Sequence, residues 1–211
     1  IRGTVWIGNP PLKDIHKLPL FPLGTVLFPG GVLPLRIFEP RYLDMIANCM
    51  RDSSPFGVVL LRRGSEVMND SHVSETEFHD VGTEARVFDF SQTEKGILAV
   101  VACGERRFVV DSTESASDGL MIGHVSFLAD ESDSEIKEEH GELLKVLVEL
   151  MKHPLVQELK LDVDLTKAKS VSYRLSDLLP VAPEEKQELL EIDSAEERLS
   201  RLRKIIDKFH N

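Results

Sequence analysis

The sequence predicts an α+β fold, a β-rich N-terminal part followed by a helical C-terminal part. Three observations predict it. Short apolar runs, several of them alternating with polar residues, recur from Leu18 to Leu128 between Pro, Gly and polar clusters, the pattern of a small barrel or sandwich. From Ile136 onward the apolar residues recur at helical spacing instead. Between the two patterns, Ala129–Glu142 holds seven acidic residues and one lysine with no strand period, as a solvated helix face or a hinge does. Residues 1–17 are read as a tail, trimmed or foreign to the fold, 18–128 as the β-rich part and 129–211 as the helical part.

The elements follow in order. Leu18–Leu23 and Val32–Phe38 flank a reversal at Pro29-Gly30-Gly31, where glycine takes positive φ at little cost. Pro19, Pro22 and Pro34 cannot donate to a ladder, so these two segments are expected as edge or bulged strands. Glu39-Pro40 opens a helix, proline suiting the first turn, with Tyr42, Leu43, Ile46, Cys49 and Met50 on its inner face. Phe56–Leu61 reads as a buried strand and Arg62–Asp80 as a long polar loop. Val81–Phe90 alternates, with Ala85, Val87 and Asp89 sharing a face. A turn at Gln92–Gly96 leads to the strand Ile97–Ala102. Gly104-Glu105 is expected to turn the chain into a separate strand, Arg106–Asp111, and Leu120–Leu128 is the last strand.

In the helical part, Ile136, Leu143, Leu144, Leu147, Val148 and Met151 share a face until His153-Pro154 breaks or kinks the helix. A second helix covers about Lys167–Leu179, and Pro183 starts a third. Ser194-Ala195-Glu196-Glu197 has the form of a capping box for a fourth. That last helix is expected to bury Leu199, Leu202, Ile205, Ile206 and Phe209.

Three blocks of this chain together resemble the Lon N-terminal domain family, the substrate-binding domain of ATP-dependent Lon proteases. The first is Leu18-Pro19-Leu20-Phe21-Pro22-Leu23, Val26, Phe28-Pro29, Leu33-Pro34-Leu35 and Phe38-Glu39-Pro40-Arg41-Tyr42. The second is Ala85-Arg86-Val87, the Glu94-Lys95-Gly96 turn, Ile97–Ala102 and Gly104-Glu105-Arg106-Arg107-Phe108. The third is Leu175–Pro180, Glu185-Lys186-Gln187, Leu189-Leu190-Glu191 and Glu196-Glu197-Arg198-Leu199. The resemblance implies a PUA-like pseudobarrel followed by a helical bundle, and a role in recognising exposed or unfolded polypeptide segments. No Gly-x-x-x-x-Gly-Lys-Ser/Thr occurs, so no P-loop is available to cradle a nucleotide. The chain is therefore expected to be a stand-alone, non-catalytic copy of the domain, an adaptor working beside a separate ATPase or protease. The Cys-x-x-Cys pairs of zinc-carrying relatives such as cereblon are missing, and neither a cofactor nor a metal is expected.

Charge narrows the partners. The chain carries a net −11, with 12 basic and 16 acidic residues in 1–128 and 13 and 20 in 129–211. Phosphate neutralisation needs a cationic surface, which makes nucleic acid an unfavoured partner. A local patch of Arg62, Arg63, Arg106 and Arg107 is the one arrangement that would support RNA binding. Arg106 is also placed to ion-pair with the acidic 129–142 segment. Cys49 and Cys103 read as buried thiols in a reducing cytosol. No apolar run reaches the ~18 residues of a membrane span, and residues 1–17 lack the apolar core of a secretory signal.

The candidate peptide-binding residues are Phe21, Leu23, Phe28, Arg36, Phe38, Glu39, Arg41 and Tyr42, around a groove between the first hairpin and the following helix. Free strand edges there can add an extended peptide. The alternative for each apolar member is the core. The run His72–His79 offers two imidazoles and two carboxylates, but its spacing fits a solvated loop better than a metal site. His140, His153 and His210 are expected at the surface. A hydrolase would need a nucleophile, a base and an acid converging in one pocket, and no motif nominates such a trio.

Overall fold

A computed structural model describes residues 14–63, 77–92 and 97–209, the side chains of Arg63 and Gln92 excepted. The tail up to Lys13, most of the long loop, the Glu94–Gly96 turn and His210 lie outside the described residues. The strands are β1 (Ile15–Leu23), β2 (Val32–Ile37), β3 (Phe56–Arg63), β4 (Glu77–Gln92), β5 (Leu98–Ser115) and β6 (Met121–Phe127). The helices are α1 (Pro40–Asp52), α2 (Gly141–Met151), α3 (Pro154–Glu158), α4 (Ala168–Leu178), α5 (Pro183–Glu191) and α6 (Ala195–Phe209). The order of sheet followed by helices is the expected one. No described helix is long and apolar enough to cross a membrane.

The strands form one sheet in the order β2-β5-β4-β3-β1-β6, and β6 pairs with β5 as well. β1 is not the edge strand its prolines suggested. Its first half pairs with β6, from Ile15↔Ser126 to Leu20↔Met121, and its second half pairs in parallel with β3, from Leu20↔Gly57 to Leu23↔Leu60. Pro19 and Pro22 thus each lie in a half that is paired on one side, where a missing N–H need not interrupt a ladder. Among the described residues β2 pairs with β5 alone, so there Pro34 does stand on an open edge.

β4 and β5 are longer than alternation alone indicates. β5 runs straight through Gly104-Glu105, read above as a turn. The register between β4 and β5 slips there, between Thr83 and Ala85. A Cβ on Gly104 would lie 2.3 Å from the Phe28 carbonyl oxygen, so glycine here lets two backbones touch rather than reversing the chain. The true reversal is at Gly30, whose φ is +69°. Its N–H donates to the Gly104 carbonyl at 2.8 Å.

The core has three parts. Phe21, Leu23, Ile37, Phe56, Val58, Val100 and Ala102 pack under the inner face of α1, with Tyr42, Met45, Ile46 and Cys49. Leu18, Leu20, Val59, Phe108 and Val125 form a small cluster within the sheet. The helices share the third with the sheet, Val26, Phe28 and Leu60 joining Leu147, Val171, Leu175, Leu189, Leu199 and Ile205. α6 buries four of its five predicted apolar residues, but Phe209 is 59% exposed.

A buried polar network ties sheet to helices. Arg107 Nη1 donates to the carbonyls of Leu190 (2.8 Å) and Ile192 (3.0 Å), and Nη2 pairs with Asp193 (3.0 Å) and Glu131 (3.4 Å). Arg198, fully buried, donates to both oxygens of Glu131 and stacks on Tyr173 with 4.0 Å to the ring centre. The Tyr173 hydroxyl also donates to Glu131, and burial pushes this phenol well up from its ordinary value. The acidic segment 129–142 is therefore partly internal, because Glu131 turns inward to neutralise two guanidinium groups.

Candidate functional site

Most of the expected groove is spent on the core. Phe21 stacks on Tyr42, ring centres 4.1 Å apart, and both are buried with Leu23. Phe28 is buried in the helical cluster, 6.2 Å from Tyr173. Arg41 donates to Glu39 (3.1 Å) and to the Gly119 carbonyl (3.1 Å), and lies over the Tyr42 ring. It pins the start of α1 to the β5–β6 turn. Of the eight candidates, Arg36 and Phe38 remain open to solvent.

Those two residues lie on β2 and just beyond its end, beside the open edge. Proline has no N–H, so Pro34 fits where the backbone points away from β5. Antiparallel alternation then aims the backbone groups of Val32 and Arg36 outward as well. The Pro34 ring interrupts this edge midway, a common protection against stray strand pairing. An extended chain laid along β2 would find donors and acceptors at Val32 and Arg36 and an acceptor at Pro34.

Sequence reasoning missed the aromatic part of this surface. The β4–β5 register slips again between Val87 and Asp89, with Phe88 between them. A bulge of this kind re-aims side chains. Phe88 is 79% exposed, Phe90 55% and Phe38 58%. Phe90 borders two shallow hollows. One, about 300 Å³, lies over Ala99 and Val101 between Pro34, Arg36 and Asp89. The other, about 280 Å³, lies between Met50, Ser54, Val87 and Phe88 at the end of α1. The available signal was Val-Phe-Asp-Phe, two aromatics flanking an acid in a strand with Ala85 and Val87 as its inner face.

The four arginines behave differently from one another. Arg62 is exposed, with Nη2 3.5 Å from His79 Nδ1. The Arg63 side chain lies outside the described residues. Arg106 pairs with buried Glu84 (2.8 Å) and covers the Phe127 ring at 3.7 Å. Arg107 points to the opposite face and is buried. It is Arg107, not Arg106, that reaches the acidic segment, through Glu131. Arg107 thus leaves the expected basic patch, since neighbours on a strand face opposite ways.

Of the His72–His79 run, Glu77, Phe78 and His79 are described, and His79 lies 3.7 Å from Glu191. His140 is buried, contrary to its expected place at the surface. A further hollow, about 490 Å³, lies between Asp14, His16, Arg106 and Phe127. Within it His16 pairs with Asp14 (3.2 Å) and Ser126 donates to Asp111 (2.5 Å). His16 lies opposite Val125 and Ser126 opposite Ile15, so the imidazole and hydroxyl face opposite sides of the ladder and do not form a catalytic couple. Burial raises the Cys49 and Cys103 thiols above their ordinary value, away from nucleophilic thiolate character.

Residues 17–208 match the family model described as the ATP-dependent protease La (LON) substrate-binding domain. The chain is 25% identical to the Lon protease of Cytophaga hutchinsonii over 203 residues, which cover 90% of this chain and 24% of that protein. It is 26% identical to Lon protease 2 of Myxococcus xanthus over 205 residues, 93% of this chain and 24% of that one. The chain thus spans about a quarter of the length of these relatives. The crystal structure of a Lon N-terminal domain protein from Xanthomonas campestris superposes with a TM-score of 0.71 at 36% identity, covering 89% of this chain and 97% of that one.

Proposed function

Because the chain belongs to the LON substrate-binding domain family, we propose that it is a non-catalytic module that recognises exposed or unfolded polypeptide segments, and that it takes them along the open edge of β2. The observation that carries the placement is that, among the described residues, β2 pairs with β5 alone, beside three exposed phenylalanines, Phe38, Phe88 and Phe90. Main-chain hydrogen bonds to Val32 and Arg36 supply sequence-tolerant affinity, and the aromatics select apolar side chains. We read the role as that of an adaptor in protein quality control, partnered with a separate ATPase or protease in the cytoplasm. We also read 18–128 as a PUA-like pseudobarrel subdomain, supported by β6 bonding to both β1 and β5, and 129–211 as a helical bundle.

Binding of a fluorescent, reduced and unfolded casein tests the reading, with a labelled RNA pool run in parallel at two salt concentrations. Saturable casein binding that weakens in Phe38→Ala and Phe90→Ala, with fold retained, supports it. Salt-sensitive RNA binding without casein binding would overturn it.

A further inference from the structure

The chain enters α2 through a single 3-10 turn, Glu138–His140, which packs against the first turn of α6. His140 is 4% exposed. Its Nε2 lies 3.1 Å from Glu196 Oε2 and 3.8 Å from Glu139 Oε1. One ligand atom from each of the three residues falls within 4.8 Å of the other two. Two atoms of the cluster, His140 Nδ1 and Glu196 Oε1, are buried without a hydrogen-bond partner among the described residues. Lys137 supplies the cation now present, with Nζ 3.0 Å from Glu196 Oε2 and 3.9 Å from Glu139 Oε1, on a side chain that is 59% exposed. Arg203 donates to the Glu139 carbonyl and steadies the turn.

We propose that Glu139, His140 and Glu196 bind a divalent transition-metal ion of the Zn²⁺ kind, taking it in exchange for the Lys137 ammonium. Tetrahedral zinc with bonds of about 2.0–2.2 Å spaces its ligand atoms about 3.4 Å apart. The two separations from His140 Nε2, 3.1 and 3.8 Å, lie either side of that value, and the two carboxylates lie within 4.8 Å of each other, so capture draws the side chains together. One imidazole with two carboxylates suits Zn²⁺ better than Mg²⁺ or Ca²⁺, which prefer all-oxygen shells. Two carboxylates balance the ion's charge, and the displaced lysine reaches water on its own flexible stem. The unpartnered Glu196 Oε1 offers a second carboxylate contact. Coordination through Nε2 requires the imidazole proton to sit on Nδ1, which has no acceptor among the described residues. The bound ion ties the turn before α2 to the start of α6, independently of what β2 recognises.

Titration of the chelator-treated full chain with ZnCl₂ by calorimetry tests the site. One saturable site per chain is expected. Glu139→Gln alters a side chain that is 62% exposed, so the fold survives, and binding should weaken at least about tenfold. His140→Ala should abolish it. Lys137→Ala removes the competing charge and should tighten binding several-fold, an effect a purely structural ion-pair cluster does not predict. Co²⁺ should give the visible bands of a tetrahedral site in the unaltered chain and lose them in Glu139→Gln. Absence of saturable binding overturns the proposal. So does zinc binding left unchanged in Glu139→Gln and His140→Ala, or weakened in Lys137→Ala.

Discussion

Arg198 forks onto Glu131, Nη2 to Oε1 at 2.6 Å and Nη1 to Oε2 at 3.0 Å, with both side chains removed from solvent. The remaining guanidinium donors reach the carbonyls of Leu189 and Ile192 and the Ser172 hydroxyl. Removing one partner leaves the other charge buried, which costs about 3–5 kcal/mol. Arg198→Met is therefore expected to lower the urea midpoint of unfolding by that equivalent. Arg198→Met combined with Glu131→Gln should cost less than the sum of the two single changes, as a double-mutant cycle would read.

Phe38 and Phe90 contribute little to the core, both being more than half exposed. Their replacement by alanine should move stability by no more than about 0.5 kcal/mol. If β2 is the recognition edge, the double change should weaken casein binding about tenfold, near 1.4 kcal/mol. Tyr42→Ala, in contrast, should unfold the α1 face, because Tyr42 is buried against Phe21. Circular dichroism separates the two outcomes.

Pro34 blunts the open edge, so Pro34→Thr restores a donor without disturbing the pairing with β5. Tighter polypeptide binding is expected, together with concentration-dependent self-association, as is usual for an unprotected edge. Sedimentation velocity over a dilution series checks the second effect.

Ser53 closes α1 in the left-handed region, with φ 50°. Ser53→Gly relieves that conformation and should raise stability by about 0.5 kcal/mol, after the entropy glycine adds to the unfolded chain. The Arg86 contact to Ser53 uses the backbone carbonyl at 2.6 Å and survives the change.

The hydrogen bond from His140, joined by one from Lys137, holds the Glu196 carboxyl below the usual glutamate value of 4.5. A depressed folded-state value adds stability that is complete above 4.5 and is lost as pH falls through the lower, folded value. Glu196→Gln should thus reduce stability at pH 7 and leave a shallower acid limb below 4.5. Urea midpoints at several pH values between 7 and about 3 would show a constant gap if Glu196 did not titrate with folding.

The strands and helices were legible because their apolar periods are regular. Leu199, Leu202, Ile205 and Ile206 repeat every three or four residues and line the inner face of α6. Period two also separates Arg106 from Arg107, but it cannot say which faces the helices. That choice is made by the carbonyls of Leu190 and Ile192, more than eighty residues away in sequence. Of the surface we propose for recognition, Arg36 and Phe38 could be named from the sequence. Phe21, Leu23 and Phe28 have the same composition as a groove lining, and only packing against α1 and α4 assigns them to the interior. The bulge at Phe88 shifts the alternation by one residue, which no local pattern announced. His140 in Glu-Glu-His-Gly reads as solvated until α6 closes over it.

The hold of Arg107 on the end of α5 bears on how the chain reaches its native state. The helices cannot finish their interior alone, since Val26, Phe28 and Leu60 come from the other half and Glu131 faces cations from both. Severing the chain between Leu128 and Ala129 would leave each half with an apolar wound, and the second half would lack Arg107 as well. Synthesis from the N-terminus therefore delivers a sheet with one face uncovered, and it must wait for Leu190 before Arg107 finds its acceptors. Refolding should proceed in one slow cooperative step whose rate falls when Arg107 is shortened.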